Sequence, residues 1–149
     1  MEQGIRVVLL RIGIALSPLG GALEKLLLPF KLGLGGKLGS GKQYMSWIGI
    51  DDLICMIYYA INNDSLDGPV NAVAPNPVTN LEFTKILGKV LARPTVFSVP
   101  ETAIKLALGE MGREILLTST RVKSQKLANS GYRFKNPDLE GALRHLLGR

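Results

Sequence analysis

The strongest constraint on the fold of this chain is an apolar run close to its N-terminus. Residues 5–16 read IRVVLLRIGIAL, which is rich in β-branched and aliphatic residues and shows little alternation of apolar and polar positions. This pattern is typical of a parallel strand that is covered on both faces. Such a strand needs neighbours, whereas the later candidate strands are short and partly polar. We therefore expect the C-terminal half of a larger α/β protein.

Composition excludes several classes of protein. With 149 residues, 46% of them hydrophobic and 20% charged, the chain has the size and composition of one globular domain. Its single cysteine allows neither an intrachain disulfide nor a thiolate pair for zinc, so we expect no metal site and a cytoplasmic location. No apolar run approaches the roughly 20 residues of a spanning helix, so we expect no membrane association, and we also expect no secretory signal. The net charge of +6 is compatible with a partner that carries phosphate groups.

Strand and helix patterns alternate along the rest of the chain. Asp51 or Asp52 is placed to cap a helix, and Asn136 is placed to cap the last one. Thr79 and Glu82 have the spacing of a capping box. The predicted elements are, in order, a helix over 22–32 that Pro29 bends or ends, a mobile glycine-rich loop over 33–41, a strand over 45–50, a helix over 53–63, a strand over 69–74, a helix from the capping box to residue 91, a strand over 95–99, a helix from a second capping box at Ser98 and Glu101 to residue 108, and helices over 122–130 and 137–147.

None of the sequence motifs identifies a catalytic residue. Residues 36–42 (GKLGSGK) have the spacing of a phosphate-binding P-loop, but Gln43 stands where magnesium needs a Ser or Thr, and the flanking elements are in the wrong order. His145 is the only histidine, and we expect it to be a solvated residue near the end of the last helix, which leaves no nucleophilic triad. Cys55 lies in an apolar helical pattern and is expected to be a buried small hydrophobe.

The basic C-terminal region supports an alternative hypothesis, a non-enzymatic binding or interaction module. Residues 121–149 contain seven Lys or Arg against two acidic residues, with Tyr132 and Phe134 among the charges. Basic residues beside aromatic rings are suited to single-stranded nucleic acids. The pattern is better explained in two parts. The basic residues lie on a solvated helix face, and the two aromatic residues pack on a core as alternating strand residues. Nucleic acid is therefore not the favoured partner.

Five segments, taken in order, form a more specific pattern: RVVLLRIGIALSPLGGAL (6–23), LPFKLGLGGKLGSGKQYMSWIGIDDL (28–53), GPVNAVAPNPVTN (68–80), VPETAIKLALGEM (99–111) and SGYRFKNPDLEGAL (130–143). They resemble the second half of the epimerase family proteins, a group of extended short-chain dehydrogenase/reductases, and the last two resemble the domain of unknown function 1731. The resemblance implies the C-terminal portion of an NAD(P)-binding Rossmann-like α/β fold with a small substrate-side α/β lobe. It implies that residues 1–98 end the epimerase/dehydratase-like domain, including the substrate lobe, and that residues 99–146 form the C-terminal domain.

The resemblance implies a fragment of an NAD(P)-dependent epimerase, dehydratase or reductase-like protein that acts by hydride transfer when complete. In the family the glycine-rich cofactor turn and the Tyr-x-x-x-Lys lie in the first half, and no tyrosine here has a lysine four residues later. We therefore expect NADP or NAD in the complete protein and neither in this chain alone. By the resemblance, the chain just after the first strand passes the nicotinamide end of the cofactor, which makes Arg11, Ala15 and Leu16 candidate cofactor contacts.

The resemblance also bears on the substrate, which we expect to be a small molecule. Family members that act on nucleotide sugars carry an Arg-Asp pair before an aromatic residue, whereas this chain has Met45 and Ser46 before Trp47. Loss of the arginine that binds a pyrophosphate favours a smaller or less charged substrate. Trp47 and Gln43 are the candidate residues on the substrate side.

The first strand is also a candidate interface. Without the missing half of the sheet, its edge would present free backbone groups beside an apolar surface. We therefore expect the isolated chain to form a homo-oligomer through this strand, and we expect Val8→Lys or Leu10→Lys to change the association.

Overall fold

The computed structural model describes residues 4–99 and 118–149, in which helices pack on short pairs of strands. The elements in chain order are β1 (Val8–Ile12), β2 (Ile14–Leu16), α1 (Gly21–Lys31), β3 (Gly36–Leu38), β4 (Tyr44–Met45), β5 (Trp47–Gly49), α2 (Ile50–Asn62), β6 (Gly68–Ala72), β7 (Val78–Thr79), α3 (Asn80–Leu91), β8 (Phe97–Val99), α4 (Gln125–Asn129) and α5 (Leu139–Leu147). The mixed α/β class is as predicted. The helix expected from the second capping box to residue 108 lies outside the described residues. No helix within the described ranges is long and apolar enough to cross a bilayer.

The apolar run at the start of the chain forms two strands rather than one. β1 pairs in parallel with β6 and β2 pairs in parallel with β5, so the chain changes partner at Gly13. The Gly13 amide donates to the Ala72 carbonyl at 3.2 Å, and the Ile14 amide donates to the Ser46 carbonyl at 2.8 Å. A Cβ atom on residue 13 would lie 2.4 Å from the Ser46 carbonyl oxygen, so only glycine permits this close approach. The prediction of one strand over 5–16 is wrong because the crossing depends on a distant segment.

β1 is covered on one face. Val8 and Leu10 pack against the apolar cluster under α2. Leu9 lies on the opposite face and is 58% exposed, while Ile12, on the same face as Val8 and Leu10 but at the end of the strand, is 52% exposed. Among the described residues, β1 pairs with β6 and its other edge has no partner strand. An open edge beside exposed apolar residues is what the sequence predicts for this strand when the other half of the sheet is absent.

The glycine-rich segment contains a strand. β3 pairs in parallel with β8, and Gly36 lies opposite Phe97. A Cβ atom on residue 36 would lie 2.2 Å from the Phe97 carbonyl oxygen, so the close pairing requires glycine. The prediction of a mobile loop over 33–41 is wrong for residues 36–38, which form β3. The P-loop-like spacing of residues 36–42 therefore begins within a strand.

Two apolar clusters form the core of the described region. The larger lies between α1, α3 and α5 and includes Leu23, Phe83 and Leu143, while the smaller lies between α2, β6 and α4. α3 begins with the predicted capping box: the Glu82 carboxylate accepts from the Thr79 amide at 2.7 Å, and the Thr79 hydroxyl accepts from the Glu82 amide at 3.2 Å. Both contacts are local, which is why the sequence pattern was sufficient to predict them.

The two aspartates at the start of α2 do not cap it. The N-cap is Gly49, so Asp51 and Asp52 lie in the first turn, where carboxylates face the positive end of the helix. Asp51 pairs with His145 at 2.9 Å, so the histidine is not simply solvated. Asp52 is 2% exposed and binds backbone amides elsewhere in the chain.

Three expectations near helix ends also need correction. Asp138, rather than Asn136, caps α5, and its carboxylate accepts a hydrogen bond from an amide of the first turn. Of the two alternatives for Pro29, bending or ending α1, the second is wrong, because α1 continues to Lys31. Tyr132 and Phe134 pack on the smaller core cluster as predicted, but neither lies in a strand.

Candidate functional site

A cavity of about 700 Å³ opens at the carboxyl ends of β1 and β6. The carboxyl ends of parallel strands are where open α/β sheets bind ligands. The floor is formed by residues 11–15, together with Gly21 and Ala22 at the start of α1. Arg11 is the one charged residue among the described lining residues, and most of the rest of the surface is apolar.

The opposite wall comes from a segment that is distant in sequence. The Thr120 amide donates to the Tyr44 carbonyl at 3.0 Å, and the Tyr44 amide donates to the Ser119 hydroxyl at 3.1 Å. The Ser46 hydroxyl donates to the Thr120 carbonyl at 2.7 Å and accepts from the Val122 amide at 2.9 Å. These four hydrogen bonds fix residues 119–122 along Tyr44 and Ser46, so this wall is built by a described segment that is distant from β4 in the sequence.

The structure brings two of the five predicted binding residues to this cavity. Arg11 lies at the end of β1 and Ala15 lies in β2, and both line it. Leu16 is fully buried in the larger core cluster. Gln43 and Trp47, the candidates for the substrate side, are also buried and do not line the cavity.

The two buried substrate-side candidates hold neighbouring backbone in place. The Trp47 indole, 1% exposed, donates from Nε1 to the Asn76 carbonyl at 3.0 Å. The Gln43 side-chain amide donates to the Leu38 carbonyl at 3.0 Å. Trp47 therefore fixes the loop after β6, and Gln43 fixes the end of β3.

A buried carboxylate clamps the C-terminal segment onto α2. Asp52 accepts hydrogen bonds from the Lys135 amide at 2.7 Å and the Asn136 amide at 3.0 Å. The Tyr132 hydroxyl donates to the Asp52 carbonyl at 3.0 Å. Burial, and next the negative charge of Asp52, raise the pKa of Tyr132 above its usual value, so the phenol keeps its proton. The clamp fixes the chain between α4 and α5.

Sequence reasoning missed the residues that complete the cavity. Tyr44 and Ser46 lie beside the predicted substrate residues, so a strand register would have pointed to them. Residues 118–122 carry no signal of their own, because their place in the wall depends on hydrogen bonds to β4. Within residues 4–99 and 118–149, no three His, Cys, Asp or Glu side chains lie close enough together to hold a metal ion.

Comparison with known proteins gives consistent matches along the chain. The family model for a domain of unknown function, DUF1731, matches residues 99–146. Epimerase family protein Mb2239 of Mycobacterium bovis is 43% identical over 142 residues, which are 95% of this chain and 47% of that protein. Epimerase family protein YfhF of Bacillus subtilis is 42% identical over 97% of this chain and 47% of its own length. The chain spans about half the length of the curated relatives it matches.

Solved structures give the same result. The crystal structure of human epimerase family protein SDR39U1 with NADPH matches with a TM-score of 0.90 and 35% identity, over 96% of this chain and 48% of the human chain. A UDP-N-acetylglucosamine 4-epimerase from Bacillus cereus shares the fold, with a TM-score of 0.73 at 11% identity. The described fold is therefore the C-terminal portion of an NAD(P)-binding Rossmann-like fold. More particularly, the chain corresponds to the C-terminal part of an epimerase family protein and carries the DUF1731 region.

Proposed function

We propose that this chain forms the nicotinamide-facing side of the active site of an NAD(P)-dependent epimerase, dehydratase or reductase-like protein. The observation that carries the proposal is the cavity at the carboxyl ends of β1 and β6, which has a floor of small residues and a mostly apolar surface. Cavities of this size and kind bind small molecules and cofactors. The NADPH in the human relative, which shares this half of the fold, supports NADP or NAD as the cofactor of the complete protein.

The residues of this chain would orient and shield the reacting groups. Ala15 and Ala22 leave a flat apolar floor on which a planar ring can pack, and Leu16 supports that floor from the core. Arg11 adds a positive charge to the floor, where it attracts anionic parts of a ligand. Tyr44 brings its side chain to the facing wall. When bound, a nicotinamide cofactor supplies the hydride transfer.

The proposed substrate is a small molecule rather than a nucleotide sugar. Met45, which replaces the expected arginine, is buried in the larger core cluster and offers no charge to a pyrophosphate. We assign Gln43 and Trp47 positioning roles on the substrate side, because each holds a backbone segment near the cavity without lining it. An apolar cavity with one charged residue fits a compact substrate.

We further propose that the isolated chain binds neither NADP nor NAD. The glycine-rich turn and helix N-terminus that hold the pyrophosphate of such cofactors would lie in the other half of the protein.

We also propose that the chain divides into residues 1–98 and 99–146 and that the protein is cytoplasmic. A relative in Arabidopsis thaliana is named as chloroplastic, so the compartment differs among relatives.

The exposed face of β1 is proposed to be an interface. Leu9 is exposed on the face of β1 opposite Val8 and Leu10, beside an edge that has no partner strand among the described residues. In the complete protein the first half would cover the β1 surface, and in the isolated chain a second copy would do so. Nucleic acid is not proposed as a partner.

The cavity proposal is tested by filling the cavity. Ala22→Phe in the full-length protein that contains this chain should weaken NADPH binding by about tenfold, because the new ring occupies the floor. Lys25→Phe is the matched control, because Lys25 is exposed on the same helix and does not line the cavity. Binding is measured by fluorescence titration, and NADPH oxidation is measured with a panel of aldehydes and ketones. Equal NADPH affinity and turnover in the two variants would contradict the proposal.

A further inference from the structure

A second, polar pocket of about 400 Å³ adjoins the cavity wall. One side is the loop of Pro75, Asn76 and Pro77 after β6, and the other side is the segment from Arg121 to the start of α4. Its described lining residues include two cations, Arg121 and Lys123, and no carboxylate. The pocket therefore has a positive potential that favours an anion.

Both cations are available to a ligand. The Arg121 guanidinium lies 4.6 Å above the centre of the Tyr44 ring, a contact that orients the group without neutralising its charge. Within the described part of the chain, neither Arg121 nor Lys123 has a carboxylate within ion-pair distance. Lys126, by contrast, forms an ion pair with Asp67 at 3.0 Å.

An uncharged donor, Ser124, lines the same pocket. Ser124 is 4% exposed and precedes α4, yet its hydroxyl makes no capping hydrogen bond. Ser124 lines the pocket, so its hydroxyl is the uncharged donor that this wall offers. The indole of Trp47 fixes the facing loop through the Asn76 carbonyl. The loop that faces Arg121, Lys123 and Ser124 is thus fixed in place.

Two contacts join this pocket to the cavity. Tyr44 lines the cavity, and Arg121, stacked on the Tyr44 ring, lines the pocket. Asn71 lines the cavity, and its side-chain amide donates to the carbonyl of Lys123, which lines the pocket, at 3.1 Å. A ligand whose reacting end occupies the cavity could therefore reach the pocket across the Tyr44 wall.

We propose that this pocket binds a phosphate group of a small molecule through Arg121, Lys123 and Ser124. A phosphate carries several acceptor oxygens, and a guanidinium, an ammonium and a hydroxyl together match them. That the same molecule reacts in the cavity rests on the proposed function, whereas the phosphate site itself does not. The substrate class that follows is a compact phosphate monoester with an apolar, carbonyl- or hydroxyl-bearing end.

The test is an NMR titration of the isotope-labelled chain with inorganic phosphate and with a short alkyl phosphate at constant ionic strength. We expect saturable shifts of the amides of residues 121–125, and tighter binding of the alkyl phosphate because its chain enters the cavity. Arg121→Gln and Lys123→Gln should each weaken binding by about tenfold. Lys126→Gln removes the same charge from a lysine that already has a partner, and it should leave the affinity within about twofold.

Several outcomes would overturn the inference. Shifts that do not saturate, or an equal loss in Lys126→Gln and Arg121→Gln, would mean that phosphate responds only to the net charge of the chain. Equal affinity for inorganic and alkyl phosphate would overturn the connection to the cavity. Retained amide dispersion in each variant shows that the fold is intact. NADPH binding by the full-length Ala22→Phe protein tests the proposed function separately, because Ala22 lines the cavity and not the pocket.

Discussion

Replacing Asp52 by alanine is expected to destabilise the chain more than any other single change of a carboxylate in the described region. The Asp52 carboxylate is buried in the first turn of α2 and accepts hydrogen bonds from the Lys135 and Asn136 amides. The variant leaves two partly buried N–H groups without an acceptor, and each such group costs roughly 1–3 kcal/mol. Water can reach part of this site, so we expect a loss of about 3 kcal/mol in the free energy of unfolding, or about 10 °C in Tm for a chain of this size.

The matched control is Asp51→Ala. Asp51 is the neighbouring carboxylate, and its contact with His145 joins two half-exposed side chains, so we expect a loss below about 1 kcal/mol. Urea unfolding followed by circular dichroism gives the free energies. Hydrogen exchange at residues 135 and 136 gives the local effect, which should be faster exchange in Asp52→Ala alone. Equal stability of the two variants, or unchanged protection at those amides, would refute the clamp.

Three further predictions concern other parts of the chain. Gly13→Ala should destabilise the fold by about 2–4 kcal/mol in thermal or urea unfolding, because the new methyl group would meet the Ser46 carbonyl, and an unchanged stability would contradict the close crossing. Leu9→Lys should reduce self-association in size-exclusion chromatography with light scattering, because Leu9 is exposed. Leu10→Lys should instead lower the free energy of unfolding, because Leu10 packs on the core. An unmodified chain that is monomeric at every concentration would contradict the proposed self-association. The Thr79 backbone hydrogen bond holds the pKa of Glu82 below its usual 4.5, so the capping box should stabilise the chain fully above that pH and progressively less as the pH falls through the lowered pKa. Glu82→Gln should flatten this part of the pH–stability curve, and an unchanged curve would argue against the box.

Local contacts made some elements predictable from sequence. The capping box of α3 needs two residues that are three positions apart, and its pattern was sufficient to place the start of the helix. The end of α3 was equally clear, since Pro94 cannot continue a helix. Short-range chemistry of this kind does not depend on where the rest of the chain lies.

Long-range contacts explain the misplaced features. Gly13 breaks the first strand only because the Ser46 carbonyl lies against it, and nothing in residues 5–16 shows that approach. Asp52 has the sequence position of a cap, yet it binds amides of the C-terminal segment. Arg11 and Ala15 were placed at the site by family resemblance, and the structure puts both at the cavity. The wall formed by residues 118–122 depends on pairing with β4, so no local pattern could reveal it.

The most direct test of the central proposal is hydrogen exchange on the full-length protein with and without saturating NADPH. We predict that NADPH protects the amides of residues 11–15, which form the floor of the cavity, and leaves the Asp52 clamp unchanged. Full-length protein that binds NADPH without any added protection at residues 11–15 would contradict the claim that this half of the fold contacts the cofactor.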